Sequence, residues 1–173
     1  MVCERCHGNC CKIFIVFVTA HDVARIIRGL NIDPTCIINY YPEEIDSNYP
    51  SFKMMGKDYV LGLDSKHGSM KDCKFLMELG SYRRCGIHKL RPMNCRTYPF
   101  ILDGNNLDFV EEFVCPKQWW PEGEERKGYV DNIIQHHKEL EEYKGIVMKW
   151  NKNHSEKGSF IEFLDFIIKD VPS

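Results

Sequence analysis

Four cysteines fall within nine residues near the start of the chain, in "CERCHGNCC": Cys3, Cys6, Cys10 and Cys11. Four more, Cys73, Cys85, Cys95 and Cys115, lie between residues 73 and 115, and Cys36 stands alone between the groups. Thiolates hold zinc and iron–sulfur clusters, and such a centre commonly takes four of them. Two groups of four therefore point to metal–thiolate chemistry with more ligands than one ordinary centre needs. Nine cysteines cannot all pair as disulfides. Small buried apolar cysteines are the bland alternative. It fits poorly where Glu4, Arg5, His7 and Asn9 are interleaved with the thiols.

The spacing excludes the common patterns. A zinc ribbon would show a second Cys-x-x-Cys. The bacterial ferredoxin run places two residues before its third cysteine, whereas three separate Cys6 from Cys10. Only Cys115-Pro116 shares the Cys-Pro ending of cluster motifs. The adjacent pair, Cys10 and Cys11, enters a predicted strand, where neighbours point to opposite faces. The pair is thus expected to serve two centres, or two metals of one larger cluster. On this reading the N-terminal segment supplies half the ligands of a multi-metal site and residues 73–115 supply the rest. The site closes only when the first segment folds back.

A metal with four thiolates is dianionic, and such charge in a partly buried site needs compensation. Arg91 and Arg96 bracket Cys95 and are expected to donate N–H bonds to the sulfurs. Pro92 and Pro99 stiffen this ligand loop. His7, His21, His88, His136 and His137 are expected to be structural. Trp119-Trp120 reads as a packing plug over the site, and Cys36, between Thr35 and Ile37, as a core residue.

The elements that must position these residues are legible in part. "KIFIVFV" (12–18) predicts a strand. "THDVARIIRGL" predicts a helix with Thr19 as N-cap and Asp22 at N3, a variant capping box, and Val23, Ile26, Ile27 and Leu30 on one face. Asp33-Pro34 suits the start of a short second helix. Residues 41–69, broken by prolines and glycines, offer one strand, "YVLGLD". "YPFILDGNNLDFVEEFV" predicts a hairpin turning at residues 103–106. Apolar spacing from 129 to 150 predicts an amphipathic helix, and a last helix starts near Ser159.

Composition frames this. The chain has 173 residues, 43% hydrophobic and 28% charged, with a net charge of −2. That suits a globular protein able to bury a core, and gives no global pull toward nucleic acid. "IFIVFV" is too short to span a bilayer, and no secretory signal is visible. No membrane role and a cytoplasmic location, where thiols stay reduced, are therefore expected. Residues 71–96 are rich in Lys and Arg and residues 103–126 in Asp and Glu, which the bland reading assigns to a solvated surface. Glycine-rich nucleotide loops, Gly-x-Ser-x-Gly and His-Glu-x-x-His are all missing.

"CERCHGNCC", "CKFL" and "CGIHKLRPMNCRTYPF" together resemble the YkgJ-like CxxCxxxCC cysteine-cluster family. Matching features are Gly8 before the paired cysteines, the Thr19-x-x-Asp22 helix start, Cys73 to Leu76, and Cys85 to Pro99. His88 departs from the Tyr common in that family, which argues against His88 as a ligand. Members are described as zinc- or iron-chelating, or as Fe–S oxidoreductases, and the family in turn resembles the cysteine-rich part of flagellin lysine N-methylases.

The expectations are then an α+β fold: a small irregular, cysteine-rich antiparallel core with several helices packed around it. Residues 1–173 would form a single domain, with a metal-binding part at 1–116 and a helical extension at 127–173. The metal ligands would be the eight clustered cysteines, with Arg91 and Arg96 behind them. The cofactor would be an iron–sulfur cluster, of 4Fe–4S type, or zinc. The role would be redox or electron transfer with an unknown protein client or redox partner. Metal or cluster delivery is one alternative. The other, by the resemblance, is a SAM-dependent protein lysine methyltransferase or its accessory.

Overall fold

The computed structural model describes residues 8–46, 48–66, 71–80, 82–116 and 118–171. Cys3 and Cys6 lie outside the described residues. The fold is α+β, with five α-helices and small antiparallel sheets among the described residues. Two units divide the chain. One holds the described residues up to Val16 together with Ser65–His137, and the other holds Phe17–Asp64 together with the described residues from Lys138 on.

The second unit is the helix-and-sheet scaffold. Helix α2 (Ala20–Leu30) starts at the capping box read from sequence: Thr19 Oγ1 accepts from the Asp22 N–H, and the Asp22 carboxylate accepts from the Thr19 N–H. Asp22 is fully buried, and the same carboxylate takes a 2.6 Å bond from Arg25. Arg25 then reaches both oxygens of Glu139, at 2.8 and 2.9 Å. A half-buried cation therefore lies between two buried carboxylates. Strands β1 (Ile38–Pro42), β2 (Phe52–Met54) and β3 (Lys57–Leu63) form an antiparallel sheet in the order β1-β3-β2. Its edge strand β2 is held by a helix: Asn151 accepts from the Lys53 N–H and donates to the Ser51 carbonyl, while Trp150 donates to the Lys53 carbonyl. Phe52 stacks on Phe163 at 3.8 Å. Gly158 is required because a Cβ there would meet the Trp150 ring at 2.4 Å.

The first unit carries the cysteines. It contains α1 (Asn9–Ile13), the hairpin β4 (Leu76–Leu79) with β5 (Tyr82–Cys85), the short α3 (Met93–Thr97), and the hairpin β6 (Phe100–Asp103) with β7 (Asn106–Phe109). The second hairpin turns at Gly104-Asn105, within the expected window, and Gly104 has the positive φ of 58° that such a two-residue turn needs. Its inner face, Phe100, Leu102, Leu107 and Phe109, packs on Tyr129 and Ile133. These two belong to the first half of the long helix α4 (Gly123–His154). Helix α5 (Phe160–Asp170), in the scaffold unit, begins at a second capping box, Ser159 with Glu162.

Several sequence expectations need correction. Residues 9–13 are helical, and no strand covers 12–18: only Phe17 makes a bridge, to Gly62. Two strands besides β3 form between residues 38 and 63: β1 pairs with it across distant sequence, Ile38 opposite Leu63, which local propensity does not encode, while β2 joins it in a tight hairpin turning at Met55-Gly56, both at positive φ. The expected short helix at Asp33-Pro34 is one 3-10 turn, Pro34–Cys36. Cys36 at its end is exposed rather than in the core, because the turn presents it to solvent while Ile37 and Ile38 are buried. Both tryptophans pack on the β6–β7 hairpin, Trp119 edge-on to Phe100 and Trp120 edge-on to Phe109 at 4.7 Å, although Trp120 stays 58% exposed. The aromatic plug covers the β6–β7 core.

Candidate metal centre

Cys10 and Cys11 reach the second group through α1. Gly8 precedes this helix with φ 68°, and a Cβ there would stand 2.9 Å from Leu76 Cδ1 and 3.2 Å from Arg83 Cβ. Only glycine combines the left-handed backbone with so close an approach to β4–β5. Lys12 adds an ion pair to Glu78 on β4, at 2.9 Å, and Arg83 on β5 meets the same carboxylate at 3.0 Å. The Cys73 N–H donates to the Cys11 carbonyl at 2.8 Å. Asn9 donates to the Val114 carbonyl at 3.1 Å. Cys10 and Cys11 are thereby fixed beside Cys73 on one side and the peptide preceding Cys115 on the other.

Six of the eight clustered cysteines are described, and they form one neighbourhood. Cys11 feels the charges of Cys10, Cys95 and Cys73. Cys73 feels Cys85 and Cys10, and Cys85 feels Cys10. Tyr98 lies against Cys115 and within the field of Cys10. The charge of Cys10 reaches Cys11, Cys73, Cys85 and Tyr98. No disulfide joins any described cysteine. Cys73 is buried, whereas Cys10, Cys11, Cys85, Cys95 and Cys115 are half-buried.

Cys10 and Cys11 do not point apart, as a strand would have made them do. They sit on the same turn of α1, and their side chains hydrogen-bond to each other. The Cys11 S–H donates to Cys10 and holds the Cys10 thiol down at about 7, against the opposing effect of burial. Cys11 itself is pushed up, first by that same bond and then by burial. The pair thus favours a single anion with the charge on Cys10. Burial raises Cys73 to about 11 and raises Cys85 as well.

Backbone amides are aimed at the sulfurs. The N–H groups of Phe75 and Leu76 point at Cys73, and that of Ile87 at Cys85. Each is a turn closing two or three residues after the cysteine. Sulfur is a poor acceptor as a thiol and a good one as a thiolate, so these donors favour the form that binds metal.

Arg91 is 8% exposed, and its charge lowers both Cys10 and Cys85. Its charge favours the thiolate form of both, against the burial that raises Cys85 on balance. Arg96 is used differently: Nε donates to the Arg91 carbonyl at 3.0 Å and Nη2 to the Lys89 carbonyl at 2.8 Å. It braces the loop that carries Arg91. Sequence proximity to Cys95 could not separate these roles. Tyr98 was legible only as part of the quoted "RTYP" motif, because its partners lie in residues 112–115, which no local signal connects to it.

Among the described residues, no group of three or more His, Cys, Asp or Glu side chains is arranged to hold a metal ion. The donor set fits one nonetheless. The half-buried thiols converge from two segments, amides are already directed at two of them, and a buried arginine offsets their charge. Cys10, Cys11, Cys73, Cys85, Cys95 and Cys115 would hold the metal, as a thiolate centre of zinc or iron.

The comparisons agree with this chemistry. The chain belongs to the CxxCxxCC family, described as "Putative zinc- or iron-chelating domain", whose model matches residues 2–119. Three residues, His7, Gly8 and Asn9, precede the paired cysteines in this chain, where the family's title writes two. No curated protein and no solved structure matches the chain. No helix is long and apolar enough to cross a membrane.

Proposed function

We propose that the two cysteine groups form a single polynuclear metal–thiolate centre, an iron–sulfur cluster with zinc as the competing occupant, and that the protein serves in redox or electron transfer. The observation that carries this is the pair of hydrogen bonds that join the two segments, from the Cys73 N–H to the Cys11 carbonyl and from Asn9 to the Val114 carbonyl, with the charge of Cys10 felt by Cys73 and Cys85. Six thiols in one neighbourhood exceed the four of a mononuclear zinc site. Amide donors and a buried arginine are the levers that tune a cluster potential. The eight-cysteine ligand set, including Cys3 and Cys6, is part of this proposal. So are a reducing, cytoplasmic setting, a protein redox partner, and a metal-binding part that ends near residue 116 while residues 127–173 serve as scaffold.

A second reading, delivery of metal or cluster to a client protein, is favoured by one feature. Five of the six described clustered thiols are half-buried rather than buried, so an incoming thiolate has access for ligand exchange.

Anaerobic purification with quantitation of iron, zinc and acid-labile sulfide tests the proposal. Iron with comparable sulfide, and a visible absorption bleached by dithionite, is the expected result. One zinc per chain without sulfide would replace the cluster by a zinc site. Metal-free protein with all thiols reactive would overturn metal binding altogether.

A further inference from the structure

Residues 110–116, which end at Cys115-Pro116, contain no strand or helix. Their backbone is nonetheless fixed. Val110 donates to the Pro99 carbonyl at 2.9 Å. Further along, the peptide groups of Val114 are both taken by side chains. Its carbonyl accepts from Asn9, the residue before Cys10, at 3.1 Å. Its N–H donates to the hydroxyl of Tyr98 at 2.8 Å.

Tyr98 follows α3, which carries Cys95, and its own N–H closes that helix on the Asn94 carbonyl at 3.1 Å. Its ring lies edge-on to Phe14, three residues past Cys11, at 5.6 Å. The hydroxyl has one proton and two acceptors in reach, the Glu112 carbonyl at 3.1 Å and the Cys115 side chain. One side chain therefore touches the N-terminal segment with its ring and residues 112–115 with its hydroxyl. A phenol bonded to a peptide on each side is poised as a donor, not as a metal ligand, since ligation would strip its proton and break the bond to Glu112.

We propose that Tyr98 is the positioning residue for Cys115: with Asn9 it clamps the Val114 peptide and so brings the Cys115 thiol to the group around Cys10. This rests on the metal-centre reading above. Without the clamp, Cys115 sits on a segment that has no regular ladder of its own, and its contribution to metal binding has to be met by ordering that segment at the moment of binding.

The test is a double-mutant cycle read with Zn²⁺ against a chromophoric chelator, on the full chain. Tyr98→Phe keeps the ring and removes the hydroxyl. It is expected to weaken zinc by about 10–100-fold, the usual range for residues that orient ligands. In a Cys115→Ala background the same substitution is expected to have no further effect. Asn9→Ala, which removes only the carbonyl half of the clamp, is expected to act in the same direction and also to vanish in that background. Amide exchange at Val114 in metal-free protein is expected to accelerate in Tyr98→Phe. Equal losses in both backgrounds would make Tyr98 a general structural residue and overturn the proposal. So would unchanged affinity in Tyr98→Phe, or a phenolate-to-iron charge-transfer band in the iron-loaded protein, which would make Tyr98 a ligand. If the unsubstituted chain binds no zinc and no iron, the metal-centre reading falls and takes this one with it. Metal binding without the Cys115 coupling removes this one alone.

Discussion

The backbone N–H of Cys73 donates to the carbonyl of Cys11 at 2.8 Å. This bond joins the two cysteine groups directly, through main chain that every residue possesses, and side-chain chemistry builds on it. The seating of α1 on β4–β5 is what allows it to form.

Gly8 is the close-contact point of that seating. Gly8→Ala forces a side chain into a backbone with φ 68° and against Leu76 Cδ1. The left-handed conformation alone costs about 1–2 kcal/mol. Metal affinity is expected to fall roughly 5–30-fold, at about tenfold per 1.4 kcal/mol. Chelator competition measures it, and unchanged affinity would show that α1 seats without needing glycine.

Arg91 and Arg96 are expected to behave differently. Arg91→Ala removes the charge that lowers Cys10 and Cys85. Metal affinity should drop by about 10–100-fold, and an iron–sulfur midpoint potential should fall, since a positive charge near the thiolates is gone. Arg91→Lys should recover part of this. Arg96→Ala instead frees the carbonyls of Lys89 and Arg91, costing stability on the order of 1–2 kcal/mol. Arg96→Lys should not recover it, because lysine lacks the fork that spans two carbonyls. Chemical denaturation and redox titration of the four variants separate the roles. Identical profiles for Arg91→Ala and Arg96→Ala would contradict the assignment.

The Cys10–Cys11 pair gives a pH signature in metal-free protein. Cys10 is held at about 7, chiefly by the Cys11 S–H. Below that pH the pair is neutral and slow to alkylate. Above it Cys10 is anionic and fast. Iodoacetamide labelling of Cys10, followed by peptide mapping, should therefore rise through pH 7. In Cys11→Ala the midpoint should move up toward the ordinary thiol value of about 8.5. A Cys10 midpoint at or above that value in the unsubstituted chain would refute the shared-proton arrangement.

In the scaffold unit, Arg25 lies between two carboxylates whose side chains are 1% and 5% exposed, Asp22 and Glu139. Arg25→Ala leaves two buried negative charges facing each other. Breaking a buried ion pair from one side costs about 3–5 kcal/mol. Urea melts at pH 7 read the loss. A loss below about 1 kcal/mol, the range of surface pairs, would mean that water reaches the triad.

Cys36 is exposed at the end of a 3-10 turn. Cys36→Ala is expected to change stability by no more than about 0.5 kcal/mol, as surface substitutions do, with metal content unchanged. Metal loss on this substitution, measured by elemental analysis, would place Cys36 among the ligands.

The sequence by itself determined the chemistry and the local signals. Eight clustered thiols named a metal centre because few other groupings need them. Thr19-x-x-Asp22 and Ser159-x-x-Glu162 fixed two helix starts, since a capping box is closed by residues three apart. The β6–β7 hairpin was legible for the same reason, its turn and register being local. Tertiary structure decided what depends on distant partners. Residues 9–13 became a helix where a strand was expected, because Gly8, Asn9 and Lys12 each find a contact beyond residue 75 that seats a helical turn. That reversal turned Cys10 and Cys11 toward each other. Strand β1 exists through pairing with distant β3, and the edge strand β2 is held by Asn151 of α4, contacts that no short window records. Likewise, two arginines five residues apart look alike in sequence. Only the fold buries one among sulfurs and gives the other a pair of backbone carbonyls to hold.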